Sequence, residues 1–345
     1  MKTFKTTFVL FLLGQALATS AQNNNQEPYL NKPFANAAIK NVNVKTSGGS
    51  ITVSGGTAAD AHVEVYINAN NNNNEDLSKD ELTERLKDYD LNVSLNGNEL
   101  QATAKAKSNF NWKKSLSISF KIYVPKEVST NLTTSGGSIK LSNLNGEQNF
   151  STSGGSLNLD QLNGLVKGRT SGGSIKVSNS KSNIDLRTSG GGITAADCQG
   201  TISLSTSGGS LHLANLNGTI NARTSGGGIT GDHISGELIT GTSGGSINLT
   251  EMACSLETST SAGSTHVQME KLGKYIKING SVGHVDLQIP SGKGLDLDLH
   301  GNRISTNVTS NFNGEKDDSR MVGKLNGGGI PVTVSTSIGG INVRM

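Results

Sequence analysis

The chain has 345 residues, with 30 basic and 27 acidic side chains and a formal charge of +3. That balance gives no ground for a nucleic-acid or membrane-surface partner. Aromatics at 4% leave little material for stacking platforms, and 44 glycines beside only 5 prolines point to many tight turns rather than collagen or disorder.

Met1 to Ala21 reads as a secretory signal peptide: Lys2 and Lys5 start it, Phe8–Leu13 form its apolar run, and Ala16-Leu17-Ala18 and Thr19-Ser20-Ala21 offer small-residue cleavage patterns. The run is too short to span a bilayer, no later segment could, and no cysteine follows to carry a lipid. The expectation is an exported protein of the periplasm, cell surface or extracellular space, with residues 22–345 forming one domain.

Residues 39–67 supply the first strands: Val42 and Val44, then Thr46-Ser47-Gly48-Gly49-Ser50-Ile51, then alternating Val63, Val65 and Ile67. Asn70–Asn74 reads as a low-complexity loop. Residues 75–131 predict a small α/β cap inserted into the domain. Ser78 and Glu81 form a capping box, with Leu77 and Leu82 as a staple, for a helix ending near Tyr89. Asn96-Gly97 predicts a hairpin between Leu91–Leu95 and Glu99–Lys105. Leu116, Ile118, Phe120, Ile122 and Val124 then alternate up to Pro125.

From Thr134 to Lys277 a Thr-Ser-Gly-Gly unit recurs every 18 residues, starting at Thr134, Thr152, Thr170, Thr188, Thr206, Thr224, Thr242 and Thr260. Fixed-period self-similarity marks a solenoid, whose copies bury their apolar faces only by stacking. With each Thr as position 0, positions 5 and 7 are apolar (Ile139, Leu141), as are 14 and 16 (Ile184, Leu186). Alternation over such short runs is the strand period. The prediction is an all-β fold, a parallel β-solenoid (β-helix) of 18-residue, two-strand coils, right-handed by extension of the crossover rule. The Gly-Gly pair is expected to turn because glycine accepts positive φ, the glycine at position 12 to form the other turn, Thr and Ser to form hydroxyl ladders, and Asn143, Asn179 and Asn215 an amide ladder. Residues 278–345 continue as strands and close the C-terminal end.

Candidate sites are sparse. Position 17 carries Arg169, Arg187 and Arg223, with Asp185 and Lys167 on the same face at position 15. They could bind an acidic glycan or a carboxylate-bearing envelope or surface protein by bidentate pairing, or simply form a solvated face. His266 and His284 sit near each other without a clear third metal ligand, and an apolar residue such as Leu141 stands where a calcium β-roll needs Asp. Cys198 and Cys254 fall three coils apart, roughly 14 Å at strand spacing, too far for a disulfide. The carboxylates are scattered singles, and Asp296 and Asp298 share a face in an exposed register, so no catalytic residue, metal or cofactor is predicted.

The Thr-Ser-Gly-Gly-[Ser/Gly]-[Ile/Leu] runs, their Leu-Asn-Gly turns and the preceding Ser117–Leu132 segment resemble the bacterial putative-adhesin family of β-strand repeats, over most of Ile39–Met345. The resemblance implies a secreted or envelope-exposed β-helix and carries no active-site motif. The leading expectation is a non-enzymatic adhesin or scaffold at the cell envelope. An envelope-stress sensor or regulatory binding module, and a polysaccharide-binding or polysaccharide-cleaving β-helix, are the alternatives.

Overall fold

A computed structural model of the protein describes residues 27–70, 77–107, 115–308 and 310–345. The signal-peptide reading therefore lies outside the described residues, as does most of the Asn-rich loop. The chain is almost wholly β, with one helix among the described residues.

Successive coils pair in parallel register at the repeat interval. Leu157 sits opposite Ile139, Ile175 opposite Leu157, and so on to Ile247 opposite Ile229. A front face is built from short strands such as Ile175–Ser178 and a back face from strands such as Lys181–Arg187. Positions 5 and 7 of the front face and 14 and 16 of the back face point inward and are buried, with the position-10 side chains Leu162, Cys198, Leu216 and Met252 filling the corner between them.

The interior adjusts where the repeat departs from consensus. Gly168 stands at an inward position because the Phe150 ring occupies its space: a Cβ there would lie 2.1 Å from Phe150 Cε2. Gln148, fully buried at a position otherwise held by Val, Ile or Leu, accepts a 2.7 Å hydrogen bond from Thr130 Oγ1 and donates to Val128 O at 2.8 Å. A buried amide is tolerated because it is satisfied.

The turns work differently from the sequence expectation. The Gly-Gly pairs of the regular copies do not use positive φ; those that do lie elsewhere. The second glycine is required by close stacking, since a Cβ on Gly155 would sit 2.0 Å from Gly137 O, and on Gly209 2.2 Å from Gly191 O. The first glycine has room: a Cβ on Gly190 would lie 3.5 Å from Gly172 O. Of positions 0 and 1, only the threonines form a ladder, and it runs through the backbone. From Thr134 to Thr242 each repeat Thr hydroxyl accepts from its own second-glycine N–H and donates to the second-glycine carbonyl of the preceding coil, as Thr188 does with Gly191 N and Gly173 O. The neighbouring serines are exposed.

The opposite corner is made at position 9, not by the glycine at position 12. Asn143, Gln161, Asn179, Asp197, Asn215, His233 and Glu251 all adopt left-handed φ between 51° and 57°. In place of a continuous amide ladder, Asn179 and Asn215 donate to Asp160 and Asp197, and Asn143 to Gly55 O. The position-12 glycines lie within the back strands at φ near 120°, where a Cβ on Gly218 would come within 2.1 Å of Gly200 O.

Both ends are assembled out of chain order. Asn41–Thr46 pairs on one side with Ser129–Thr133 and on the other with Glu99–Ala106, while Ile51–Gly56 pairs with Ile139–Ser151 and with Leu116–Pro125. The first coil of the chain is thus second in the stack, and residues from the insertion form the outermost coil. Antiparallel strands Tyr89–Asn96 and His62–Ala69 then cover its edges. The C-terminal end repeats the device. The last coil, Ile330–Ile338 with Gly340–Arg344, is enclosed by the earlier Leu295–His300 and Arg303–Thr306, and antiparallel Arg320–Leu325 and Phe312–Lys316 follow on the back face. Insertions at both ends supply the covering that a parallel stack needs over its open edges.

The single helix, Lys79–Leu86, is capped as expected by Ser78 Oγ, which accepts from Glu81 N–H at 3.2 Å. The Glu81 carboxylate pairs with Arg85 instead of completing the box. The helix stops before Tyr89, which is buried at the start of the next strand and accepts a hydrogen bond from Leu116 N–H.

Candidate functional site

Because each outward position repeats on the next coil, exposed side chains fall into rows about one strand spacing apart, roughly 4.8 Å. On the back face Arg169 stands opposite Arg187, and Ser205 separates Arg187 from Arg223. Asp185 binds Arg187 through both oxygens, to Nε at 3.1 Å and to Nη2 at 3.3 Å. Arg223 Nε donates to Asn221 Oδ1. The Arg169 side chain makes neither a hydrogen bond nor an ion pair among the described residues, and with Lys167, Asp185 and Phe150 it lines a shallow groove of about 270 Å³. Arg169, Arg187 and Asp185 are therefore brought together, with Arg223 two coils away.

On the front face the position-6 row runs Lys121, Thr52, Lys140, Asn158, Lys176, Thr194, His212, each opposite the next. The three lysines are exposed. At the N-terminal end Lys121 Nζ lies 4.3 Å from the centre of the Tyr66 ring, Tyr66 donates to Glu64 at 2.8 Å, and His62 stacks on Tyr123 at 4.3 Å. The 36-residue spacing of Lys140, Lys176 and His212 was visible in the sequence. The place of Lys121 in the same row was not, because it depends on the pairing of an inserted strand.

Two further groups are internally satisfied. His233 contacts Asp232 at 3.0 Å and pairs with Glu251, and its pKa is raised first by the Asp232 hydrogen bond, with burial opposing and the Glu251 charge adding. At the C-terminal end Asp286 contacts His266, Asn342 and Arg344, tying the last coil to the two before it. His284 Nδ1 instead accepts from Gly340 N–H, so His266 and His284 have separate partners. Both cysteines are buried free thiols. Burial pushes Cys254 up to about 12 and raises Cys198. No described helix is long and apolar enough to cross a membrane.

No family model matches the chain, and no curated protein does. Among solved structures it is similar to a putative cell adhesion protein from Clostridium sporogenes, at 13% identity and TM-score 0.21 over 92% of this chain and 99% of that one. It is also similar to a putative adhesin from Bacteroides fragilis, at 11% identity and TM-score 0.32 over 92% of this chain and 96% of that one. At these values neither likeness assigns a family or an activity.

Proposed function

We propose that the protein is a non-enzymatic, exported adhesion or scaffold module of the bacterial cell envelope. It is read as one β-solenoid domain with right-handed coils. The observation that carries this reading is the set of in-register rows of exposed polar side chains, exemplified by the seven-coil row from Lys121 to His212. A rigid face of this kind sums weak, repeated contacts, so that avidity far exceeds any single contact. Half-buried carboxylates are tied to neighbouring cations, as Asp185 is to Arg187 and Glu257 to Lys277, an arrangement suited to a binding face rather than to acid–base chemistry.

The test is protease shaving of intact cells, together with attachment assays of a deletion strain and its complemented parent. Surface exposure with attachment lost on deletion is expected. Confinement to the periplasm with unchanged attachment overturns the adhesion reading, and release of reducing sugar from polysaccharides by the purified protein overturns the non-enzymatic one.

A further inference from the structure

We propose that the front face binds a linear acidic polysaccharide laid along the stack axis, with Lys121, Lys140 and Lys176 meeting successive carboxylates. This rests on reading the protein as a binding module and names the class of its ligand.

The argument starts from register. Thr52 separates Lys121 from Lys140, and Asn158 separates Lys140 from Lys176. Each lysine is thus two strand spacings from the next, roughly 9.6 Å. Alternation with neutral residues keeps like charges off directly opposed positions, where they would repel. It also sets the pitch of the anion that fits. An extended peptide presents same-side groups about 6.8 Å apart. Single-strand phosphates stacked in a duplex recur about every 3.4 Å. Neither matches. A polysaccharide that alternates neutral and acidic sugars presents one carboxylate per disaccharide, close to two strand spacings in an extended chain.

Two of the three lysines are also available, while Lys121 lies over the Tyr66 ring and opposite Glu64. The side chains of Lys140 and Lys176 make no hydrogen bond or ion pair among the described residues, whereas Arg187 on the back face is held by Asp185. Two shallow grooves lie in line along the row. One, of about 250 Å³, is bordered by Ser50, Thr52, Tyr66 and Lys121; the other, of about 320 Å³, by Lys140, Asn158, Asp160 and Lys176. Short Ser, Thr and Asn side chains are suited to sugar hydroxyls. Asp160, which already accepts from Ser178 and Asn179, sets a negative charge beside the second groove and so disfavours a polymer with an anion on every sugar. Tyr66, on the antiparallel strand paired with that of Lys121, adds amphipathic ring surface near the end of the row, of the kind that packs against the C–H face of a sugar.

The experiment is calorimetric titration of the purified protein with hyaluronan oligosaccharides (a uronate on every second sugar), polygalacturonate (a uronate on every sugar) and neutral cellohexaose. Saturable binding to hyaluronan, stronger than to either other probe, is expected. Lys140→Ala with Lys176→Ala should weaken it roughly five- to tenfold, from two exposed ion pairs. Lys176→Asn with Thr194→Lys keeps the charge but moves it one coil, and should weaken binding as well. Wild-type affinity in either lysine variant overturns the proposal, as does preference for polygalacturonate or cellohexaose, or no binding at all. Loss of binding in Arg169→Ala with Arg187→Ala but not in the lysine variants also overturns it, moving the site to the back face while leaving the binding-module reading intact. That reading fails separately, in the shaving and attachment assays.

Discussion

The two glycines of an interior Thr-Ser-Gly-Gly turn should respond oppositely to the same substitution. In Gly191→Ala the new Cβ would sit 2.3 Å from Gly173 O, 2.5 Å from its carbonyl carbon and 2.6 Å from Ser174 N. All three are backbone atoms of the adjacent coil, so relief requires lifting the turn. That would stretch the 2.7 Å bond from Thr188 Oγ1 to Gly173 O. Overpacking costs about 1–3 kcal/mol and a weakened buried hydrogen bond about 1 kcal/mol, so a loss of about 3 kcal/mol is expected. In Gly190→Ala the nearest atoms are 3.5 Å away, an ordinary contact. The reduced entropy of the unfolded chain should then make this variant neutral to about 1 kcal/mol more stable. In the divergent copies Ala262, Val282 and Ile338 occupy the first-glycine place, while Gly263, Gly283 and Gly339 keep the second, where φ of 134–153° as well as the close coil contact requires glycine. Urea unfolding followed by circular dichroism measures both variants. Equal effects, or a Gly191→Ala loss under about 1 kcal/mol, would refute close coil stacking as the reason for the second glycine.

Thr206→Val removes both a donor to Gly191 O and an acceptor for Gly209 N–H, and should cost about 1–3 kcal/mol in the same urea assay. Gln161 holds φ at 53° without the local bonding that lets Asn tolerate this region, so Gln161→Asn should raise stability by about 0.5 kcal/mol or more, read as an upward shift in melting temperature. The Cys198 and Cys254 thiols, buried and with raised pKa, should stay inert to a thiol reagent in native buffer and both react in denaturant; rapid native labelling would contradict their burial. His233 should titrate by NMR above the ordinary value of about 6.5. A raised folded pKa stabilises fully below the unfolded value and loses that contribution as pH rises through the folded one. Wild type should therefore lose stability relative to His233→Asn across that window, and a pH-independent difference would count against the Asp232 and Glu251 contacts.

The coil architecture was legible because one pairing rule repeats. Through the regular copies each strand meets its neighbour 18 residues away, until the interval slips to 20 between Leu256 and Ile276, so the inward places of Ile139, Leu157 and Ile184 could be read directly from alternation. The Ser78 cap was legible for the same reason: its chemistry is contained within four residues. The position-17 arginines were visible as a row, but not the capture of Arg187 by Asp185, which depends on side-chain reach within one strand.

What the sequence by itself determined is the repeat, the two-strand coil and its apolar interior, since periodic burial is written locally in every copy. Tertiary structure alone decided the order of the end coils, the reason for the second glycine, and the joining of Lys121 to Lys140 and Lys176. Those depend on backbone approach between coils and on pairings such as Ile51 with Phe120, 69 residues apart, where no repeat interval sets the register. The register of an inserted strand is chosen by which edge it covers and which face it must bury, and both exist only once the stack has formed.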